Sequence, residues 1–415
     1  MANRTIAILT LGSRGDVQPY IALGLGLQQA GDRVIFVTEP SFQPWVEQYG
    51  LSFAPLRANF VQLAKSAQGK AAIVGQGNPW SLIQSTKAMM RDVLEDAWLA
   101  AQHADAVVYH PKALAGYHIA DKLNIPGFLA LMLPAYSPTR AFANPALGAH
   151  DWGAWLNRLS YDALGKLALA PYRGLINTWR HHTLELPPTK HDTHLGDRPV
   201  PKIYAYSRHV VPIPSDWDDF TLVSGYWFLP TPADWVPPEP LQAFLNVGPP
   251  PIYVGFGSMP SVDAERTTST VLEAAKQTGQ RLVLATGWGG LQAQPLPDNV
   301  YLLDAVPHDW LFPYCAAVVH HGGAGTTGAG LRAGKPTVIC PFFGDQPFWG
   351  QRVYELGVGS RPIPQKRLNV EQLAGAIAQV TRDFTMQAKA AQLGQAIRAE
   401  DGIATAIHFI NQHLS

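Results

Sequence analysis

The sequence predicts an α/β protein with two domains, each built on a parallel sheet. Two segments carry this prediction, since each is a short apolar strand closed by Gly-Ser: 6–11 followed by GS at 12–13, and 251–256 followed by GS at 257–258. A proline-rich stretch separates the two halves. Strands that alternate with helices favour parallel sheets, and 415 residues are enough for two to three domains.

The N-terminal half alternates strands with helices. After the first strand, apolar residues recur at helical spacing until Gly31, and a second strand follows at 34–38. Further strands are predicted at 106–109 and 127–131, with a helix over 115–123 between them. This order is typical of βαβ units.

Ten prolines fall between Pro212 and Pro251, which predicts little regular structure there. We therefore assign residues 1–215 to an N-terminal domain, 216–250 to a linker and 251–389 to a C-terminal domain. Later strands of the C-terminal domain are predicted at 281–285, 300–303, 316–319 and 337–340, and helix at 370–414. Two α/β halves joined by a linker predict a cleft between them, where ligands commonly bind.

Composition excludes several classes of protein. Lys plus Arg and Asp plus Glu both number 31, so no basic field is available for nucleic acid. Two cysteines, Cys315 and Cys340, cannot form the framework of a secreted disulfide scaffold, which favours the cytoplasm. The first apolar segment is too short for a signal peptide, and no apolar run reaches the ~18 residues of a membrane span. Any membrane association is expected to be peripheral.

The segment 319–328, VHHGGAGTTG, is the densest functional pattern. A strand runs into glycines and hydroxyls before a helix, and free N–H groups at a helix start bind phosphate oxygens. His321, Thr326 and Thr327 add donors, so the segment predicts a diphosphate site. The alternative is a tight turn that uses glycine only for its backbone freedom.

Gly323, Gly325 and Gly328 also fit the dinucleotide fingerprint G-x-G-x-x-G, with Asp345 farther along. This pattern favours a nicotinamide-dependent enzyme as an alternative. The fingerprint normally closes the first strand of a domain, whereas several strands precede it here.

Asp345 and Gln346 follow the strand at 337–340, at the sheet edge where α/β proteins bind ligands. A carboxylate and an amide there would bind vicinal hydroxyls of a sugar; the alternative is that Asp345 caps the next helix. Asp16 has the same two interpretations at the first helix, as an N-terminal cap or as a general base facing the cleft.

Tryptophan is plentiful, and Trp152, Trp155 and Leu159 fall on one helical face. Core packing is the usual role of such residues. The alternatives are an apolar acceptor pocket or an edge that faces a membrane.

Four ordered motifs together resemble one known family. They are LGSRGDVQPYIALG at 11–24, VPHDWLFP at 306–313, HHGGAGTT at 320–327 and PFFGDQPFW at 341–349. The sequence resembles the nucleotide-sugar-dependent glycosyltransferases of the GT-B fold, nearest the sterol 3β-glucosyltransferases and the bacterial enzymes that modify glycopeptide and polyketide aglycones. The resemblance covers essentially the whole chain.

The resemblance implies two facing Rossmann-like domains, the N-terminal one for the acceptor and the C-terminal one for the nucleotide sugar. It also implies a C-terminal helix, at about 390–415, that crosses back to the first domain. The same resemblance implies inversion at the anomeric carbon and a reaction that needs no metal or other cofactor.

The resemblance assigns roles to individual residues. Asp16 would be the base, with His118 as a second candidate, and Gly12 and Ser13 would lie near the diphosphate. Asp345 and Gln346 would bind the sugar. The remaining donor-binding positions are Ser258 on the nucleotide side, Val306 at the uracil, and His321, Gly323, Ala324, Gly325 and Thr326 at the diphosphate.

We therefore expect an inverting, metal-independent transferase that moves a hexose, glucose from UDP-glucose, to a hydroxyl of a lipophilic acceptor such as a sterol. The expected partners are a nucleotide-sugar donor and a lipophilic small molecule, with peripheral membrane contact and no nucleic acid. The alternatives are an NAD(P)-dependent oxidoreductase that uses the loop of Gly323, Gly325 and Gly328, and a nucleotide-sugar or lipid binder without turnover.

Overall fold

The computed structural model describes residues 4–66, 79–190, 192–257, 264–286 and 296–414. The strands are β1 (Thr5–Leu9), β2 (Arg33–Thr38), β3 (Ser52–Pro55), β4 (Ala106–Tyr109), β5 (Gly127–Leu131), β6 (His194–Leu195), β7 (Arg198–Pro199), β8 (Lys202–Tyr204), β9 (Thr221–Val223), β10 (Ile252–Gly255), β11 (Leu282–Ala285), β12 (Val300–Leu303), β13 (Ala317–His320) and β14 (Thr337–Ile339). The helices are α1 (Arg14–Gln29), α2 (Gln43–Gln48), α3 (Phe60–Lys65), α4 (Pro79–Ala101), α5 (Ala115–Leu123), α6 (Ala154–Leu169), α7 (Arg173–His182), α8 (Glu239–Asn246), α9 (Ala264–Thr278), α10 (His308–Leu311), α11 (Ala324–Arg332), α12 (Gln346–Glu355), α13 (Val370–Arg382), α14 (Phe384–Arg398) and α15 (Gly402–His413).

The N-terminal sheet, within the described residues, has seven parallel strands in the order β3-β2-β1-β4-β5-β8-β9. In β1 at the centre, Ile6 pairs with Val34 on one side and Ala106 on the other. The central strands are buried along nearly their whole length, as in parallel sheets that helices cover on both faces. This burial explains why their sequences are uninterrupted apolar runs.

The C-terminal sheet repeats the design with five described strands, all parallel, in the order β12-β11-β10-β13-β14. Its first strand, β10, lies between β11 and β13, as β1 lies between β2 and β4 in the other domain. A short antiparallel pair, β6 and β7, stands apart from both sheets. The predicted class, α/β with two Rossmann-like halves, is confirmed.

The segment predicted as a linker is partly regular and belongs in part to the N-terminal domain. β9 pairs with β8 at the edge of the first sheet, so this domain extends beyond residue 215 to at least Val223. The ten prolines leave 215–229 free of proline, which permits this strand. Helix α8 also lies in the segment, where Pro240 occupies the first turn, a position that needs no backbone N–H.

The resemblance implied a C-terminal helix at about 390–415 that crosses back to the first domain. In the structure the chain crosses between the domains later than residue 390. α14 still packs on the C-terminal domain. It lies against α11, and the Arg398 side chain at its end donates to the carbonyl of Arg332 in α11. The crossing takes place at 399–401, and α15 then packs on α1. Arg4 anchors the end of this helix through a 2.6 Å hydrogen bond from Nη2 to Oδ1 of Asn411.

Two chain segments run side by side where the domains meet. The indole Nε1 of Trp227 donates to the carbonyl of Gly402 at 3.2 Å, and the Tyr226 ring lies where a side chain on Gly328 would be. Trp349, fully buried, packs edge-on against Tyr206. The domains therefore share an apolar core at this end. We call the space between the carboxyl edges of the two sheets the cleft; the charge of Asp16 on one side of it acts on Asp345 on the other.

We predict that Gly26→Ala loosens the crossing helix. A methyl group at Gly26 of α1 would overlap Ile403 and lie 2.9 Å from Cδ1 of Ile407 in α15. Such crowding lowers the free energy of unfolding by about 1–3 kcal/mol, which urea unfolding followed by far-UV circular dichroism measures.

The matched control is Gly375→Ala in α13, where no atom lies within 4 Å of the added carbon. This variant is expected to be slightly stabilised, because alanine is the better helix former. Equal stability of the two variants would show that α15 does not pack tightly on α1.

Candidate active site

Asp16 lies in the cleft at the start of α1, surrounded by hydrogen-bond donors from two loops. Its Oδ2 accepts from the backbone N–H of Ser13 at 2.7 Å and from the Ser13 hydroxyl at 2.9 Å. Its Oδ1 accepts from Nζ of Lys112 at 2.9 Å and lies 3.5 Å from Nε2 of His110. The side chain keeps 20% exposure, so a substrate hydroxyl can reach it.

These neighbours decide the charge of the carboxyl. Burial alone would raise the pKa of Asp16, but Lys112, His110 and the Ser13 hydrogen bonds outweigh it and lower the pKa to about 2. Asp16 is therefore a carboxylate throughout the physiological range. It both caps the helix and faces the cleft, so the two sequence interpretations are compatible.

His110 is a donor rather than a base in this arrangement. Burial lowers its pKa to about 4, so the ring is neutral at pH 7. The backbone N–H of Lys112 donates to Nδ1 at 3.1 Å, which leaves the ring proton on Nε2, the atom nearest Asp16. His110 therefore helps to orient the carboxylate and has no lone pair for a substrate proton.

Gly12 is required by this geometry. Its φ of +126° is one that side chains rarely adopt, and a Cβ there would meet the Asp16 carboxylate and Nζ of Lys112. The glycine predicted to lie near the diphosphate is thus needed to let Lys112 approach Asp16. Ser13 is exposed beside it, at the mouth of the cleft.

His118, the second candidate base, is buried on α5 and already engaged. Arg180 donates from Nη1 to Nδ1 of His118 at 3.0 Å and binds Asp121 through its other terminal nitrogen at 2.8 Å. Burial, reinforced by the charge of Arg180, lowers the pKa of His118 to about 3. Because the guanidinium takes the Nδ1 lone pair, the ring proton is on Nε2, and His118 can donate a hydrogen bond but not accept a proton there.

His118 lines a cavity in the N-terminal domain that encloses about 850 Å³, part of it open to solvent. Aromatic and aliphatic side chains form much of the wall, among them Tyr109, Tyr117, Leu129, Tyr136, Ile176 and Val200. Tyr109 and Pro111 of the wall flank His110 in the chain, which places one side of the cavity next to the Asp16 group. The largely apolar lining suits a lipophilic small molecule.

Opposite this domain, α11 begins with uncapped backbone. Its N-cap is Gly323, which has no side chain to cap the helix start. The space in front of Gly325 is open among the described residues, since none of their atoms lies within 4 Å of where its Cβ would be. The helix start therefore has no side-chain cap from Gly323 and open space beside Gly325, two features that a diphosphate site requires.

The other residues of this loop divide into two groups. His321 is half-buried, its pKa is lowered by desolvation to about 4, and among the described residues its Nδ1 has no hydrogen-bond partner. Thr326 lies in the first turn, half-buried, next to Ala324 and Gly325. By contrast, the hydroxyl of Thr327 donates to the carbonyl of Gly323 at 2.9 Å inside the helix, so this predicted donor is structural.

Gly328 does not face the cleft. A side chain there would overlap the ring of Tyr226, so this glycine serves packing at the domain junction. The third glycine of the dinucleotide fingerprint is thereby explained without a ligand. This geometry does not support the oxidoreductase alternative.

Asp345 and Gln346 lie at the start of α12 on the same side of the cleft. Oδ2 of Asp345 accepts from Nε1 of Trp349 at 2.8 Å, and its side chain does not cap the helix. Burial raises the pKa of Asp345, and the negative charge of Asp16 adds to the rise. The two carboxyl groups are thus close enough for the charge of Asp16 to act on Asp345.

Gln346 is buried, and its Oε1 accepts from the backbone N–H of Phe342 at 2.8 Å. Its carbonyl oxygen therefore shapes the loop before α12 rather than pointing to a ligand. Val306 is half-buried just before α10, where His308 stacks on Phe312 at 4.4 Å. Ser258 lies outside the described residues.

Lys112 and the partners of His118 were missed by the sequence analysis. β4 is the neighbour of β1 in the sheet, so the residues that follow both strands meet at one edge. This rule could have identified Lys112 beside Asp16. No comparable signal links Arg180 to His118, which are 62 residues apart.

Within the described part of the chain, no three His, Cys, Asp or Glu side chains converge as metal ligands would. Likewise, no described helix has the length and apolar content needed to cross a membrane.

Two family models match the chain. The N-terminal domain of glycosyltransferase family 28 matches residues 6–141, and the C-terminal domain of erythromycin biosynthesis protein CIII-like proteins matches 269–405. Solved structures show the same fold. The match with the kitacinnamycin glycosyltransferase covers 100% of this chain and 100% of that one, with a TM-score of 0.74 and 20% identity. The calicheamicin glycosyltransferase CalG4 covers 100% of this chain and 99% of its own, with a TM-score of 0.71 and 20% identity. The fold is therefore GT-B.

Two curated relatives are much closer in sequence. A sterol 3-beta-glucosyltransferase of Aspergillus fumigatus is 40% identical over 99% of this chain, which spans only 30% of that protein's length. A sterol 3-beta-glucosyltransferase of Arabidopsis thaliana is 38% identical over 99% of this chain and 68% of its own. With this identity over more than two thirds of the plant protein, the chain belongs to the glycosyltransferase family of the sterol 3-beta-glucosyltransferases.

Proposed function

We propose that the protein transfers glucose from UDP-glucose to a hydroxyl group of a lipophilic acceptor of sterol type, with inversion at the anomeric carbon. One observation carries the proposal: α1, whose first turn holds Asp16, contacts α11 of the other domain, which has no side-chain cap from its N-cap Gly323. The charge of Asp16 also acts on Asp345 in that domain. A base on one side and a diphosphate site on the other are the two parts that a single displacement needs. The family and its named sterol-directed members support the acceptor class.

In the proposed reaction, the acceptor oxygen attacks the anomeric carbon from the side of Asp16. The bond from that carbon to the diphosphate oxygen breaks as the new bond forms, the electron pair leaves with UDP, and the hydroxyl proton goes to Asp16. A carboxylate of pKa about 2 does not deprotonate a free alcohol. It takes the proton late, when bond formation has made the hydroxyl strongly acidic.

The C-terminal domain stabilises the departing diphosphate. The amides at the start of α11 and the unpartnered ring nitrogen of His321 supply donors where negative charge grows. Asp345 binds sugar hydroxyls, held in place by Trp349. This arrangement assigns charge stabilisation to protein groups, and we propose that no divalent metal takes part.

The cavity beside Tyr109 and Pro111 is the proposed acceptor site. The Nε2–H of His118 is the polar group that we assign to a second oxygen of the acceptor, since its tautomer makes it a donor. We further propose that the protein works in the cytoplasm and binds membranes only peripherally, in keeping with two buried free cysteines.

We predict that Asp16→Asn abolishes glucosyl transfer and leaves UDP binding intact. The amide oxygen can still accept from Ser13, so the helix start is kept, but the proton acceptor is lost. The expected loss in kcat is about 10²–10⁴-fold. Product formation from UDP-glucose and calorimetric UDP binding measure the two effects.

Asp383→Asn, in a helix cap of the C-terminal domain, is the matched control and should transfer glucose normally. A chelator added to the same assay tests the proposed absence of metal, and lost activity in EDTA would contradict it. Full turnover by Asp16→Asn would overturn the assignment of the base.

Removing the lysine beside the base should shift the pH profile. Asp16 must be ionised to act, so activity falls as the pH falls through its pKa. In Lys112→Met the largest lowering influence is gone, the pKa of Asp16 rises from about 2, and the acid limb of kcat moves to higher pH. Lys122→Met, which breaks an ion pair with Glu185 elsewhere in the domain, should leave the limb in place. An unchanged limb in Lys112→Met would contradict the proposed role of Asp16.

His118→Asn separates acceptor binding from proton transfer. Asparagine keeps an acceptor for Arg180 near the position of Nδ1 but removes the Nε2–H. We expect the KM for the acceptor to rise about tenfold with kcat nearly unchanged. His118→Gln, which returns an amide N–H near Nε2, should restore part of the affinity. A loss confined to kcat would instead favour His118 as the base.

A further inference from the structure

Helix α6 presents the opposite polarity from that of a helix on a water-soluble surface. The residues that it buries include Asn157, Ser160 and Tyr161. Its exposed side carries tryptophan and leucine: Trp155 is 73% exposed and Leu167 71%. A surface helix normally buries its apolar stripe, so this inversion needs an explanation.

Hydrogen bonds fix the helix in this orientation. The Ser160 hydroxyl accepts from the backbone N–H of Asn144 at 2.8 Å, and Oδ1 of Asn157 accepts from that of Trp152 at 2.9 Å. Nδ2 of Asn157 donates to the carbonyl of Arg140 at 3.1 Å. Turning the apolar side inward would break all three, so its exposure is built into the fold.

The exposed side forms one continuous surface, which we call the α6 stripe. At about 100° per residue its helical members span about 120° of the circumference. The stripe consists of Trp155, Leu156, Leu159, Ala163 and Leu167, extended by Trp152 just before the helix. Such a contiguous apolar surface marks an interaction site.

Basic residues outnumber acidic ones in the chain segment that carries the stripe. Between 140 and 174 the chain has four basic side chains against two acidic ones, whereas the whole chain is neutral. All four, Arg140, Arg158, Lys166 and Arg173, are exposed. Of the acidic pair, Asp151 is engaged by the backbone N–H of Gly153 and the side chain of Asn157. The surface therefore combines apolar insertion with positive charge.

The stripe also leads to the cavity. Leu169, the last residue of α6, and Arg173, the first of α7, both line the cavity that contains His118. A molecule that leaves an apolar phase beside Leu167 would thus meet the cavity wall within one helical turn.

We propose that the α6 stripe docks onto the surface of a lipid bilayer that contains anionic lipid, with tryptophan and leucine inserted at the headgroup level. The basic residues then face lipid phosphates, and the cavity opens towards the membrane. Only the route of the acceptor into the cavity rests on the proposed function; adsorption of the protein does not. A second copy of the chain is a poorer occupant, because a symmetric contact would bring the surplus positive charges together.

The test is co-sedimentation of the full chain with vesicles of phosphatidylcholine, with and without phosphatidylglycerol, in the absence of donor and acceptor. Wild-type protein should bind, and more strongly when phosphatidylglycerol is present. Trp155→Asn combined with Leu159→Asn should reduce partitioning about tenfold or more. Phe384→Asn, which removes an 81% exposed aromatic ring from α14, is the matched control and should bind like wild type.

Asp16→Asn should bind vesicles like wild type, so a failed chemical mechanism and a failed docking surface give different results. The double variant should still glycosylate an acceptor dispersed in detergent, which shows that it is folded. Three outcomes would overturn the proposal. They are no vesicle binding by wild type, equal binding by the double variant, or a wild-type dimer without lipid that becomes a monomer in the double variant.

Discussion

The Asp16 carboxylate, held between the Ser13 loop and Lys112, is the interaction on which the site depends. It joins the segments that follow β1 and β4, and it explains the glycine at position 12, because only a residue without a side chain lets Lys112 come so close. It also fixes the charge on this wall of the cleft. The same ion pair that secures the carboxylate lowers its basicity, so in the proposed reaction proton transfer follows bond formation rather than preceding it.

In the C-terminal domain, Trp349 ties the Asp345 carboxyl to the shared core. Its indole N–H binds Asp345, while its ring is buried between the domains against Tyr206. The position of Asp345 relative to Asp16 is therefore set by how the domains pack, and not by the loop alone. Substitutions in the apolar core at the junction would therefore change the position of Asp345 relative to Asp16 without altering any residue of the cleft.

The sequence predicted the buried strands well, but it predicted less well where the chain passes from one domain to the other. Buried parallel strands are uninterrupted apolar runs, so β4, β5 and β12 were placed to the residue. β3 and the strands from β6 to β9 were missed, since none is longer than four residues, and β9 also lies in a short proline-free stretch with prolines on both sides. Glycine and hydroxyl patterns identified the loop at α11, but the role of Thr327 within the helix and the engagement of Gln346 by a loop depend on hydrogen bonds that no pattern encodes.

The choice between Asp16 and His118 shows why composition alone could not settle the site. Both residue types serve as bases, and both lie near the predicted cleft. What separates them is which lone pairs remain after folding: Arg180 takes Nδ1 of His118, whereas Asp16 keeps an exposed edge in spite of its donors. The partners that decide this come from distant parts of the chain, 62 residues away for His118 and 96 for Asp16. Function here therefore depends on contacts between elements. The residues of one motif can act only when the order of strands in the sheet has brought their distant partners next to them.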